Sequence, residues 1–307
     1  MNLLENYTQL NNSFKKKLVF HLGVNAGFFS EYNNMILAML YCIENKIQFS
    51  LYSGDANFAY NQGWTDYFLP FCEEDKNPFH AKYNFRYDSI LKRLRPQVWL
   101  YWLFNRNTYL TFELLNVCRN RQLERKNYYI PELGINGDLQ HACQVLINLT
   151  WRYNKETECT INSLISSLHI PEEYVGLHVR SGDKLIETEL INVSKYIEEV
   201  QLHSKTQNAF VLTDNYLIVE ELQRQLKDWN IHTLCQEEER GYFHADFQQR
   251  GKDVIKEAHQ KLFASVDILS RSTAFVGTFS SNPGMYMGMR MDKEQSFSVD
   301  IKDWQIW

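Results

Sequence analysis

At 307 residues, 44% hydrophobic and 22% charged, the chain has the composition of a folded protein of about two domains, which excludes a disordered or low-complexity architecture. Thirty-two Lys and Arg against 37 Asp and Glu leave a net charge of −5, so no general basic field exists to hold a duplex, and nucleic acid is not an expected partner. Cys42, Cys72, Cys118, Cys143, Cys159 and Cys235 contain no C-x-x-C pair, which argues for idle reduced thiols over a zinc site or a disulfide scaffold.

The first 17 residues are polar and end in Lys15-Lys16-Lys17. They lack the apolar core of a signal peptide, and no apolar stretch approaches the ~18 residues of a membrane span. The expected setting is cytoplasmic, with no transmembrane segment. Leu18 to Gly23 reads as a buried strand, Ser30 as the cap of a helix over residues 31–45, and Ile47 to Tyr52 as a second strand. Strand, helix, strand implies a parallel βαβ unit and an α/β domain. From Gly54 to Arg106 the periodicity breaks down into aromatics set among Asn, Asp and Lys. Two readings fit this segment: a functional, ligand-facing region, or an insertion packed onto the first domain by its own aromatics. Residues 108–121 and 138–151 both read as helices.

Pro171 opens a second section after a helical stretch. Strands are predicted at residues 174–180, 209–213, 231–234 and 274–278, and helices at 217–229, 252–270 and 282–291. This second alternation predicts another doubly wound domain, with domains over residues 1–160 and 161–307. Met285, Met287, Met289 and Met291 fit packing beneath the last helix.

Ligands of open parallel sheets bind outside the carboxyl ends of the strands. Three predicted strands of the second half end in polar residues, at His178 to Lys184, Thr213 to Asn215 and Thr278 to Asn282. His178 and Arg180 share a strand face, and a strand-end Arg grips a phosphate through paired hydrogen bonds. Thr278, Ser280 and Ser281 offer hydroxyls and backbone N–H groups at a helix start, which suits an anion. The pattern fits a diphosphate held without a metal. It also fits a strand-end ion pair between Arg180 and Asp183 and a plain helix cap at residues 278–281. His21, at the end of the first strand, fits a cleft-facing position or a satisfied core histidine.

Gly176-Leu-His-Val-Arg-Ser-Gly-Asp-Lys184 resembles the His-x-Arg-Arg-x-Asp-Lys motif of the α1,6-fucosyltransferases, glycosyltransferase family 23. Phe210-Val-Leu-Thr-Asp-Asn215 is similar to that family's strand ending Ala-Thr-Asp-Asp, and Arg250-Gly251 to an Arg-Gly before its next helix. Ser270-Arg-Ser-Thr-Ala-Phe-Val-Gly-Thr-Phe-Ser-Ser281 resembles its Thr-Phe-Ser-Ser segment. The resemblance covers about residues 170–295 and, in the N-terminal half, only the strand-Gly-loop-helix start at residues 18–45. It implies an α/β protein of the GT-B fold, with two Rossmann-like domains facing an interdomain cleft. The N-terminal domain, with its aromatic insertion, would be the acceptor side and the C-terminal domain the GDP-sugar side. The partners would be GDP-fucose and a glycan acceptor, the transfer would invert the anomeric carbon, and no metal or other cofactor would be needed.

The resemblance puts Arg180 on the β-phosphate, His178 and Asp214 on the nucleotide, and Thr278, Ser280 and Ser281 on the phosphate oxygens. Asp183, Lys184 and a nearby Glu would face the reacting hydroxyl, with Lys184 on the acceptor; a cleft-facing His21, read from its place at a strand end, would join it there. Tyr242, Phe243 and His244 lie in a loop the family uses near the base. An inverting transfer needs one base for the acceptor hydroxyl and positive charge for the departing diphosphate. Thr188 occupies the family's carboxylate position, so Glu187, Glu189 and Asp183 are all candidate bases. The family's second Arg is Ser181 here, and its second Asp is Asn215. Its base-recognising Asp is Ser265, with Asp267 two residues on as the candidate in its place. These departures keep open another nucleotide-sugar donor, or a non-catalytic binding protein.

Overall fold

The polar N-terminus folds. In helix α1 (Leu3–Asn12) the Asn2 side chain accepts from the Glu5 amide at 2.9 Å and the Glu5 carboxylate accepts from the Asn2 amide at 3.1 Å, a reciprocal cap. Buried Asn11 then pairs with both backbone groups of Phe49, tying the helix to the sheet edge. The structure is a computed structural model describing residues 2–23, 26–86, 95–120, 123–124, 126–180, 193–241 and 251–306. It divides into two units, residues 1–154 with 306–307, and residues 155–305.

In the first unit α1 is followed by β1 (Lys16–His21), α2 (Phe28–Glu44), β2 (Ile47–Tyr52), α3 (Phe79–Tyr83), α4 (Pro96–Phe104), β3 (Thr108–Leu110) and α5 (Thr111–Cys118). A hairpin of β4 (Tyr128–Ile130) and β5 (Ile135–Gly137) leads into α6 (Leu139–Thr150), capped by the Asp138 side chain. The sheet is parallel in the order β2-β1-β3. Two expectations change here. Gly27, not Ser30, caps α2, while Ser30 sits in the first turn and accepts from Arg86. The helix expected over residues 108–121 is split, because residues 108–110 find strand partners on β1, and tertiary pairing outweighs local preference.

The irregular segment after Gly54 is organised by one buried carboxylate and a stack of rings. Asp66 accepts from the amides of Tyr60, Asn61, Gln62 and Gly63, closing the loop on itself. Trp64 stacks on Phe68 at 4.3 Å, and Phe28, Tyr32 and Trp151 close around them. Each such ring, fully buried, stabilises the unit by about 1.5–3 kcal/mol. For residues 58–71 the packed-insertion reading therefore holds. The exposed aromatics lie further on, in α4.

The second unit runs α7 (Lys155–Ser167), β6 (Val175–His178), α8 (Val193–His203), β7 (Asn208–Leu212), α9 (Tyr216–Gln225), β8 (Asn230–Thr233), α10 (Lys252–Leu269), β9 (Ala274–Gly277), α11 (Asn282–Arg290) and β10 (Ser296–Ser298). The chain divides after Asn154, ahead of the expected residue 160, because α7 packs on α10. All five strands are parallel, in the order β10-β9-β6-β7-β8. Val175, Leu177, Val211 and Val276 build the core with Tyr196 and Val200 of α8. The short, continuous apolar runs suit strands buried on both faces.

The six cysteines are free, and burial pushes the thiols of Cys118 and Cys235 up to about 12. Among the described residues no helix is long and apolar enough to cross a membrane. His259 of α10 is buried beside Phe263, with its Nδ1 donating to the Ile255 carbonyl. Burial lowers its pKa from 6.5 to about 4, so the unfolded chain binds the extra proton between those values. Stability should therefore fall as pH drops through that window, and His259→Gln should flatten that part of a plot of urea midpoint against pH.

Candidate functional site

Parallel strands end on one rim, and the sheet order reverses between β6 and β9, the point at which open α/β sheets bind their ligands. Buried His178 ends β6, and partly exposed Arg180 follows two residues later. The Val179 amide donates to the Leu212 carbonyl at 3.0 Å, so the segment carrying both side chains stays laddered to β7. From the end of β7 come Thr213 and the half-buried Asp214, whose carbonyl accepts from Gly241 at 2.7 Å. Beyond β9 comes Thr278, followed by the turn into α11. The three polar strand ends expected from sequence thus share one rim.

The turn at residues 278–281 is more self-contained than its sequence suggests. Ser281 caps α11, its hydroxyl accepting from Gly284 at 3.1 Å and donating to the Thr278 carbonyl at 2.8 Å. Gly284 is required there, since a Cβ would lie 1.9 Å from that carbonyl oxygen. Asp300, just past β10, accepts from the Phe279 amide at 3.0 Å, the Ser280 amide at 3.3 Å, and the hydroxyls of Ser280 and Ser298. The Ser280 and Ser281 hydroxyls serve the fold, whereas Thr278 Oγ1 makes no hydrogen bond to any described residue.

Asp267, expected at the nucleotide base, is buried and ion-paired to Arg290 at 2.7 Å, fastening α10 to α11. Arg290 also donates to the Tyr286 hydroxyl at 2.8 Å. Ser265, at the family position, donates to the Lys261 carbonyl within its own helix. His21 is another correction. Its ring is fully buried, with Nδ1 donating to the Asn84 carbonyl at 2.8 Å and Nε2 against Asp55 at 2.7 Å. It is the satisfied core histidine of the two readings, because both nitrogens are already paired. Asp183, Lys184, Glu187 and Glu189, like Tyr242, Phe243 and His244, lie outside the described residues.

Sequence reasoning missed two groups. One is Asp300, signalled only by a short Ser-Phe-Ser-Val run before it. The other is Glu31, in the first turn of α2, which accepts from the Gly23 amide and pairs with Arg86 at 3.2 Å. Burial raises the Glu31 carboxyl while Arg86 pulls it back, so the site can keep a proton where an exposed carboxyl has lost it. Among the described residues no group of three or more His, Cys, Asp or Glu could hold a metal ion. Asp300→Ala should strip acceptors from two amides and lower unfolding free energy by about 1 kcal/mol or more, read as a shifted urea midpoint at constant slope. Asp300→Asn, which keeps one acceptor oxygen, should lose less.

No family model matches the sequence, and no curated protein matches it. Solved structures do. The α-1,6-fucosyltransferase NodZ in crystals soaked with GDP-fucose matches with a TM-score of 0.54 at 13% identity, over 90% of this chain and 93% of that one. NodZ co-crystallised with GDP gives 0.53 at 12%, over 90% and 93%. The enzyme from Bradyrhizobium gives 0.53 at 13%, over 89% and 92%. The chain therefore has the expected GT-B fold of two parallel α/β units.

Proposed function

We propose that this protein is an inverting, metal-independent glycosyltransferase that moves fucose from GDP-fucose to a hydroxyl of a glycan acceptor. The observation that carries the reading is that His178 and Arg180 follow the end of β6 and Thr278 the end of β9, the strands that flank the switch point of the C-terminal sheet. The fold is shared with a fucosyltransferase whose crystals were soaked with GDP-fucose, which supports that donor.

In the reaction the bond from the anomeric carbon to the β-phosphate oxygen breaks, and the acceptor oxygen bonds to that carbon from the opposite face. Negative charge grows on the departing GDP. Arg180 meets it with two parallel N–H donors and a fixed positive charge, the role a divalent cation plays elsewhere. The Thr278 hydroxyl and the positive end of the α11 dipole add to that stabilisation. His178 and Asp214 hold the nucleotide. The acceptor proton passes to a carboxylate, with Asp183, Glu187 and Glu189 as the candidates and Lys184 beside them.

A second donor has one observation in its favour. The base-recognition position is Ser265, bonded within its helix, and Asp267 is committed to Arg290. A carboxylate that would discriminate guanine is thus engaged elsewhere, which suits another nucleotide sugar. Calorimetric titration with GDP, UDP and CDP in EDTA separates the readings. Selective GDP binding, lost in Arg180→Ala, is expected. UDP binding would replace the donor, and binding of no nucleotide would reject the site. In a transfer assay Arg180→Ala should cost at least about 10²-fold, because leaving-group charge goes unmet. EDTA should leave turnover intact, whereas a strict manganese requirement would reject the metal-free mechanism.

A further inference from the structure

Helix α4, Pro96-Gln-Val-Trp-Leu-Tyr-Trp-Leu-Phe104, contains no charged residue and is apolar nearly all the way round. A helix of that kind normally belongs in an interior. Only Val98 is buried, against Leu110 and Phe112, with Tyr101 and Trp102 partly covered. Trp99, Leu100, Leu103 and Phe104 are 72%, 54%, 48% and 77% exposed. Their spacing puts all four on one outward face. Single exposed apolar residues are ordinary, but a contiguous face of two aromatics and two leucines marks an interaction site. Beside it lies a groove of ≈ 390 Å³ lined by Phe79, Tyr101, Leu100 and Phe104, with Lys82 among its walls.

Charge selects the occupant. Between Asp88 and Glu113 the sequence has no acidic residue but carries Lys92, Arg93, Arg95 and Arg106, in a chain of net charge −5. Arg95 and Arg106, flanking α4 at its two ends, and Lys82 of α3 are exposed. An apolar face bordered by these cations complements an anionic lipid surface, the carboxylate of Glu113 being turned to the Trp102 indole and the Leu110 amide. A second copy of the chain would set the same cations against one another across a twofold axis. At nine residues, about 14 Å, the helix is far too short to cross a hydrocarbon core of roughly 30 Å, so it would lie in the interface.

We propose that α4 docks this protein onto anionic membranes, with Trp99, Leu100, Leu103 and Phe104 entering the headgroup–acyl boundary and Lys82, Arg95 and Arg106 meeting lipid phosphates. The proposal is independent of the donor reading, since none of these residues belongs to the unit that carries the donor site. The full chain should co-sediment with vesicles of mixed phosphatidylglycerol and phosphatidylcholine. It should bind pure phosphatidylcholine far less, and high salt should weaken the binding. The double variant Trp99→Ser, Phe104→Ser should lose at least about tenfold in vesicle affinity, and Arg95→Ala with Arg106→Ala should lose the preference for the anionic lipid. Should the serine variant fail to fold, brominated lipid decides. It should quench the wild-type tryptophan emission and quench Trp99→Phe less, although that variant keeps its apolar face. Absence of wild-type binding, equal binding by a folded serine variant, or equal quenching of wild type and Trp99→Phe would overturn the proposal. So would light scattering that shows a dimer dissolved by the serine pair, which would assign the face to a second copy.

Discussion

Parallel pairing of β6 with β9 is the contact on which the C-terminal unit depends. Among the described residues it joins strands separated by three helices, and a parallel pair can be closed only through such crossovers. Chain leaving β6 steps outward through β7 to β8, then α10 carries it back across the sheet to β9. That return creates the reversal in strand order, with His178 and Arg180 at the end of β6 and Thr278 at the end of the neighbouring β9. Helix α10 packs closely over this pair. A Cβ on Gly176 would stand 2.8 Å from the Leu269 side chain, so the end of α10 rests directly on β6.

Most of this architecture was readable because buried parallel strands announce themselves as short apolar runs. The strands at residues 47–52, 209–213 and 274–278 and the helix at 252–270 lie within a residue or two of their predicted bounds. The failures have physical causes. Helix α1 is polar on most of its length and owes its start to the Asn2–Glu5 cap and its seat to Asn11, neither of which shows as periodicity. Strand β3 is three residues long and exists only because β1 is beside it. Strand β10 is as short, and on it depends the placement of Asp300.

Site residues were legible as types at strand ends, but not as free or committed groups. Sequence spacing puts Ser280 and Ser281 at a helix start correctly, yet cannot reveal that Asp300 arrives from a later strand to accept from the same turn. The same holds for Asp267, neutralised by Arg290 from α11, and for His21, closed off by Asp55 and the Asn84 carbonyl. In each case the deciding partner is remote in sequence or supplied by backbone. His178, Arg180 and Thr278 remain, at the carboxyl ends of β6 and β9, as the residues on which the proposed donor site rests. The burden on Arg180 is correspondingly heavier, because Ser181 replaces the second cation of the resembling family.

The aromatic excess also divides on structural grounds. Phe58, Trp64, Tyr67, Phe68 and Phe71 are interior, and their loops are closed by Asp66, so their abundance reflects the packing of a segment with little regular structure. Trp99 and Phe104 obey neither requirement. They are held on a regular helix, by Val98 beneath, in an orientation that leaves them in water. Burying aromatic surface is among the larger favourable terms available to a small unit. Trp99, Leu100, Leu103 and Phe104 therefore form the face on which the membrane proposal rests, while Val98, Tyr101 and Trp102 turn toward the unit.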